Sequence, residues 1–236
     1  MKGLILAAGR GTRLLPLTDV CSKPMVPLAG RALIHHALDK LVAAGIIDIG
    51  IVVGDNEEEL RGGIFRADAQ LTFIRQPEPL GLAHAVSFAR EFTGDDDFVM
   101  LLCDNVFESG LAGSFDEWRR VRSAGQCECL LHVRQVEDPR AYGVAVVENG
   151  VVTSLEEKPQ QPRSNLAIAG IYFFARSIYE AIELVEPSQR GEMEITDAIA
   201  VLISRGHTVL AIELGGFWFD TGTVEDLRKA EAALLA

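Results

Sequence analysis

Short apolar runs alternate with segments of helical period through the first hundred residues, and few folds accommodate that order. Gly3-Leu4-Ile5-Leu6-Ala7 is a short apolar run closed by the glycines at 9 and 11, the pattern of a buried strand. From Arg31 to Ala44, the residues Leu33, Ile34, Ala37, Leu38, Leu41 and Val42 recur at helical spacing, and Gly45 supplies a C-terminal stop. Strands are predicted at Asp48–Val53, Leu71–Ile74 and Phe98–Leu102, with a short polar helix at Asp55–Arg61 and a longer helix at Leu82–Phe92. Strand and helix in strict turn describe an α/β fold on a largely parallel sheet.

Beyond Gly125 the pattern changes. Predicted strands crowd together at Glu128–Val133, Tyr142–Val147, Val151–Leu155 and Leu166–Phe174, which reads as an antiparallel addition. Helices return at Ser177–Val185, where Ser177 and Glu180 have capping-box spacing, and at Thr196–Ser204. Thr208–Glu213 is a last strand, and Thr223–Leu235 a helix opened by Thr223 and Asp226. In such sheets ligands gather at the carboxyl ends of the strands, where strand order reverses.

The chain has 236 residues and is 48% hydrophobic, enough for one sizeable core, and no repeat or linker divides it. We therefore expect a single domain over 1–236, with a nucleotide-binding half at 1–125 and a second half at 126–236. No apolar run approaches the roughly 20 residues of a membrane span, and no cleavable leader precedes the first strand, so a cytoplasmic protein with no membrane partner is expected. A net charge of −12 argues against nucleic acid. Yet Lys2, Arg10, Arg13, Lys23 and Arg31 fall in the first 31 residues with Asp19 as the one acid there, which suits a small phosphorylated ligand. The four cysteines read as reduced thiols, Cys127 and Cys129 as parts of a buried strand, and the five histidines show no metal-ligand spacing.

The sharpest local signal is Leu6-Ala7-Ala8-Gly9-Arg10-Gly11-Thr12-Arg13-Leu14, followed by Ser22-Lys23-Pro24. A Gly-x-Gly loop after a strand lets backbone N–H groups approach a phosphate, and Arg13 and Lys23 add a fork donor and a point charge. Leu14 stands where a dinucleotide fingerprint needs its third glycine, and no Gly-Lys-Ser/Thr follows as in a P-loop. Alone, such a loop is also an ordinary tight turn. Asp104 ends the apolar strand Phe98–Leu102, and Asp220 ends an aromatic run before a capped helix. Each acid by itself reads equally as a turn residue, while the two together fit a clamp for Mg²⁺, which takes one or two carboxylates plus substrate phosphates. Composition and spacing assign no role to Gln76, Tyr142-Gly143-Val144, Glu156-Glu157-Lys158-Pro159 or Gly191-Glu192.

Taken together, Gly-Arg-Gly-Thr-Arg-Leu at 9–14, Ser-Lys-Pro at 22–24 and Gln-Pro-Glu-Pro-Leu-Gly-Leu-Ala at 76–83 resemble the sugar-1-phosphate nucleotidylyltransferases. Tyr-Gly-Val at 142–144, Glu-Glu-Lys-Pro at 156–159, Gly-Glu-Met-Glu-Ile-Thr-Asp at 191–197 and Asp-Thr-Gly-Thr at 220–223 narrow the resemblance to the glucose-1-phosphate thymidylyltransferase branch. The resemblance implies a three-layer α/β/α sandwich on a Rossmann-like mixed sheet, with residues 126–236 as the sugar-binding half. It implies Arg13 and Lys23 as catalytic cations, and Asp104 and Asp220 as ligands of a Mg²⁺ cofactor. Leu6, Ala8, Gly9, Gly11, Thr12, Gln76, Pro79 and Gly81 would bind the nucleotide, Gln76 at the pyrimidine edge. Asn105, Gly143, Glu157, Lys158, Ile168, Tyr172 and Glu192 would bind the sugar phosphate. The implied substrates are dTTP or UTP and glucose 1-phosphate, joined by in-line attack with release of pyrophosphate.

Cys103 replaces the family's glycine before Asp104, Ala8 replaces a second glycine, and Ser-Lys-Pro replaces Ser-Lys-Gln; both of the latter also occur in uridylyl branches. The continuation usual after the last helix is not seen, so homo-oligomerisation and product regulation are not carried over. A non-catalytic sugar-nucleotide-binding regulatory module is the rival of a different class, and the presence of all four charged residues speaks against it.

Overall fold

The computed structural model describes residues 1–236. Strands β1 (Lys2–Leu6), β2 (Pro27–Leu28) and β3 (Arg31–Ala32) precede helix α1 (Leu33–Ala43), β4 (Asp48–Val53), α2 (Glu57–Gly63) and β5 (Gln70–Arg75). Then come α3 (Leu82–Ser87), α4 (Arg90–Thr93), β6 (Phe98–Leu102), β7 (Asn105–Phe107), α5 (Ala112–Ser123) and β8 (Cys129–Gln135). The second half runs β9 (Gly143–Glu148), β10 (Val151–Glu157), β11 (Leu166–Phe174), α6 (Ser177–Ile182), α7 (Ile195–Ser204), β12 (Val209–Glu213), β13 (Trp218–Asp220) and α8 (Val224–Leu234).

Nine strands form one mixed sheet in the order β5-β4-β1-β6-β11-β8-β12-β10-β9. β1 is parallel to β4 on one side and to β6 on the other, so strand order reverses between β1 and β6. From β6 onward the sheet turns antiparallel, with β11 against β6 and β8, and only β12 runs parallel to its neighbour β8. Alternate side chains of the central strands go to opposite faces, as the period of two requires. Leu4, Met100 and Phe174 pack against α3, α6 and α7, while Ile5, Leu101 and Phe173 pack against α1 and α5. The expected three-layer sandwich is thus present, as one sheet through both halves of the chain. A third cluster of Leu14, Val26, Leu28, Leu33, Val106, Leu227 and Ala230 binds the glycine loop and α8 to the rim of the sheet.

Three local readings are corrected. The helix expected over 82–92 is two helices, because Ser87 Oγ donates back to the His84 carbonyl (2.7 Å) and the Ala89 N–H bonds Val86 O, tightening the turn. Ser177 is not a helix cap; its hydroxyl is drawn to Glu128 Oε2 (2.6 Å), and Arg176 occupies the cap position. Helix α5 has only Phe115, Trp118 and Val121 as buried large residues among charged ones, so no apolar stripe announces it in the sequence. The Thr223 cap is present, with Thr223 Oγ1 accepting from the Asp226 N–H at 3.2 Å. All three strand-region cysteines are buried free thiols.

His132 lies in β8 inside the core, 1% exposed, with Nε2 2.7 Å from Ser114 Oγ, and burial pushes its pKa down to about 4. The unfolded chain takes up a proton on this ring near its ordinary value of about 6.5, while the folded chain resists until about 4. Stability therefore falls as pH drops through that window, by roughly 2 to 3 kcal/mol for this ring alone. Urea unfolding at pH 7 and pH 4.5 should show this loss in the wild type and a smaller one in His132→Asn.

Candidate functional site

The carboxyl ends of β1 and β6 diverge at the strand reversal, and the cleft between them is the site. It measures about 450 Å³ and is walled by the loop after β1, by Gln76 and Pro79 after β5, and by Leu102, Cys103 and Asp104 at the end of β6. Leu6, Ala8, Gly9, Gly11, Thr12, Arg13, Lys23 and Gly81 line it, as does Glu192 from the second half. Every residue expected to bind the nucleotide or to act as a catalytic cation therefore faces one cavity.

Two glycines make the walls meet. Gly11 has φ +65°, and a Cβ there would lie 2.7 Å from Lys23 Cβ, so the loop can fold back over Lys23 only without one. Gly81 has φ +108°, and a Cβ would stand 2.5 Å from Met193 O and 2.6 Å from Met193 N. Across that contact the Met193 N–H bonds Leu80 O (2.7 Å) and the Ala83 N–H bonds Met193 O (3.0 Å). This seam carries Glu192 to the cleft.

The charged groups are arranged around Asp104. Lys23 Nζ forms an ion pair with Asp104 Oδ2, and Asn105 Nδ2 donates to Asp104 Oδ1 at 2.8 Å. Burial is the largest single influence and works against both charges, but the partner's charge and the hydrogen bonds together outweigh it: Asp104 is held below the usual carboxylate range and Lys23 above the usual ammonium range. Asp220 is set beside them by the β7–β13 pairing, in which Asp220 opposes Asn105. The Thr221 N–H and hydroxyl both donate to the Asp104 carbonyl, at 2.8 and 2.7 Å. Asp220 Oδ1 is buried and has no hydrogen-bond partner. Burial, and next the charge of Asp104, push its pKa up to about 6. Arg13 lies across Gly222 from Asp220: a Cβ on Gly222 would be 3.0 Å from Arg13 Nη2 and 3.3 Å from Asp220 Oδ1. Neither Arg10 nor Arg13 has an acidic partner within 4.0 Å, in a chain with 34 acids.

The residues expected on the sugar side gather next to this cleft. Gly143 opens β9 opposite Glu157 of β10, within van der Waals reach of Glu157, Ile168 and Thr196. Thr196 Oγ1 donates to Glu157 Oε2 (3.2 Å), and Lys158 lies 3.6 Å from Glu157 Oε1. Tyr172 is buried on β11, its hydroxyl pKa raised well above normal by burial and by the Glu157 charge. Asn105 is occupied within the protein: Trp218 Nε1 donates to its Oδ1 (2.8 Å) while its Nδ2 serves Asp104. Its amide braces the acid pair.

Three residues escaped the sequence reading. Arg190 reaches Glu157, Glu192 and Glu194 at 3.6, 3.1 and 3.2 Å and links the acids of the sugar side. It directly precedes the Gly191-Glu192 motif, which is the signal that could have found it. Trp218 is two residues before Asp220, and His84 touches Gln76; neither has a sequence signal of its own.

The sequence model of the nucleotidyl transferase family matches residues 2–236. The chain belongs to that family. Among relatives of this nucleotidyl transferase, a glucose-1-phosphate thymidylyltransferase of Streptomyces griseus is 42% identical over 239 residues, covering 100% of this chain. The chain spans 66% of that relative's length. A UTP–glucose-1-phosphate uridylyltransferase of Haloferax volcanii is 37% identical over 243 residues, covering 99% of this chain and 96% of its own. Among solved structures, a UDP-glucose pyrophosphorylase complexed with UDP-glucose superposes with TM-score 0.86 at 26% identity, covering 99% of this chain and 98% of that one. Cys103, at the position where the resemblance implies glycine, has no positive φ and buries its thiol, and Asp104 remains in contact with Lys23.

Gly81→Ala must push Met193 away and strain the backbone, breaking the seam that holds Glu192 at the cleft. Urea denaturation should show a loss of about 2 kcal/mol or more, accompanied by weaker nucleotide binding in titration calorimetry.

Proposed function

We propose that this chain transfers a nucleotidyl group from dTTP to glucose 1-phosphate, forming the sugar nucleotide and releasing pyrophosphate. The observation that carries this reading is the buried, unpartnered Asp220 Oδ1 beside Asp104, with the unpaired cation Arg13 close by across Gly222. The thymidylyltransferase relative supports the choice of base and sugar.

The donor set fits magnesium. A buried carboxylate oxygen without a partner, in a site that raises its pKa, gains most from a cation. Two carboxylates, with no third His, Cys, Asp or Glu beside them, suit Mg²⁺, which takes one or two carboxylates plus substrate phosphates. Asp104 and Asp220 would hold the ion, and when bound it would offset the negative charge that builds up on the triphosphate.

The remaining chemistry belongs to side chains. The glucose 1-phosphate oxygen attacks the α-phosphorus and the bond to pyrophosphate breaks; the nucleophile is already an anion, so no general base is needed. Arg13 binds the triphosphate and stabilises the charge that moves onto the leaving group. Lys23, freed from part of its contact with Asp104, neutralises the attacking phosphate. Gln76 reads the base, and Glu157, Glu192 and Lys158 orient the sugar phosphate. Nucleoside triphosphate and sugar phosphate substrates put the reaction in the cytoplasm.

A second reading, transfer from UTP, has support of its own in the uridylyltransferase relative that this chain matches across nearly the full length of both. Thymine and uracil share the same hydrogen-bonding edge, so Gln76 serves either. Pyrophosphate release should be measured with glucose 1-phosphate and Mg²⁺, offering dTTP, UTP, ATP, CTP and GTP in turn. The expected result is a preference for dTTP that EDTA abolishes. Preference for UTP transfers the label, and sugar-nucleotide binding without turnover would sink the catalytic reading. Arg13→Ala should lower kcat about 100-fold or more; near-normal turnover in that variant removes Arg13 from the mechanism.

A further inference from the structure

Gln76 ends the β4–β5 pairing, its backbone N–H bonded to Val53 O at 2.8 Å, and turns its side chain into the cleft. The residue is only 4% exposed, so the direction of its amide has consequences. Its nitrogen Nε2 lies 3.5 Å from the Gly81 carbonyl and 2.9 Å from His84 Nδ1. The Gly81 carbonyl can only accept, so the amide nitrogen and not its oxygen faces that side. It follows that His84 accepts through Nδ1 and carries its ring proton on Nε2. Both hydrogens of the Gln76 amide are then committed, and Oε1 alone is left for a ligand.

His84 does not line the cleft itself. It sits in the first turn of α3, its ring edge-on to Phe88 with centroids 5.0 Å apart. At 3.5 Å the Gly81 carbonyl holds the amide weakly. The shorter bond is the one to His84.

We propose that His84 is a positioning residue for base recognition: by holding the Gln76 amide nitrogen away from the ligand, it makes the site accept a base that offers N3–H. This rests on the reading of the cleft as a pyrimidine nucleoside triphosphate site. Thymine and uracil present N3–H and are matched by Oε1. Cytosine presents a bare N3 acceptor, and two acceptors face each other. With the His84 acceptor removed, the amide can turn over and offer Nε2 instead, and cytosine is then admitted.

The test is titration calorimetry on the whole chain with two matched pairs, dTTP against 5-methyl-dCTP and UTP against CTP. Each pair differs only at the base edge. Wild type should favour the first member of a pair. His84→Phe, which keeps a ring against Phe88, should shrink that Kd ratio about tenfold, and His84→Asn, whose Oδ1 can replace Nδ1, should restore it. In turnover, the loss should fall on the KM for dTTP rather than on kcat, with the KM for glucose 1-phosphate unmoved. A merely structural role would lower thermal stability or weaken both members of a pair equally; an unchanged ratio in His84→Phe therefore overturns the proposal while leaving the site assignment intact. A wild type that does not distinguish the members of either pair overturns the base reading itself, and the role of His84 with it.

Discussion

The ion pair between Lys23 and Asp104 ties the loop after β1 to the end of β6, across the one place where the sheet reverses its strand order. Backbone pairing there ends with one long bond from the Cys103 N–H to the Leu6 carbonyl (3.4 Å), so the ion pair carries the contact onward past the strands. Asp104 is also the anchor for the C-terminal segment, which bonds its carbonyl twice through Thr221. One residue therefore fixes the glycine loop, the acid pair and the approach to α8. Its charge is kept because Lys23 and Asn105 both serve the ionised form.

That arrangement leaves the second acid unbalanced. Asp104 consumes Lys23, and Asp220, a strand away and nearly as buried, is left with an unpartnered oxygen and a pKa near 6. Two carboxyls in one site are pushed apart by their surroundings, one to low pKa and one to high, which is the usual mark of groups with different tasks. On the proposed function the imbalance is useful. Asp104 and Asp220 would hold a cation whose charge would favour the ionised form of Asp220, and the phosphate of the substrate would give Lys23 a second anion to serve.

Much of this was legible in the residues. Periodicity gave β1, β4, β6 and α1 of the first half, because the central strands are buried on both faces and α1 has one clear apolar side, whereas α5 has none. Asp104 and the glycine loop could be placed at one rim from the α/β alternation, while Asp220 joined them only through the family resemblance. What could not be read depends on partners distant in sequence. Ser177 looks like a cap until Glu128 is beside it, and the helix of 82–92 looks continuous until Ser87 bonds back within it. Asn105 looks like a ligand-binding polar residue at a strand end, yet Trp218, 113 positions away, takes its oxygen. A side chain's role follows from which of its hydrogen-bonding atoms are already in use, and sequence does not record that.

The same reasoning explains how the two halves, which share one sheet, are also joined at the cleft. The seam at Met193 consists of two backbone hydrogen bonds to Leu80 and Ala83, possible only because Gly81 offers no Cβ. It joins the turn that carries Gln76 and His84 to the segment that carries Arg190 and Glu192, so the residues proposed for the base and those proposed for the sugar are set by one contact. Backbone pairing is rigid and indifferent to side-chain rotamers, which makes it a better gauge of distance than a salt bridge between flexible side chains would be. On the proposed function, an enzyme that must bring an α-phosphorus and a sugar phosphate oxygen into line needs the spacing between its two binding regions fixed more than it needs either region to bind tightly.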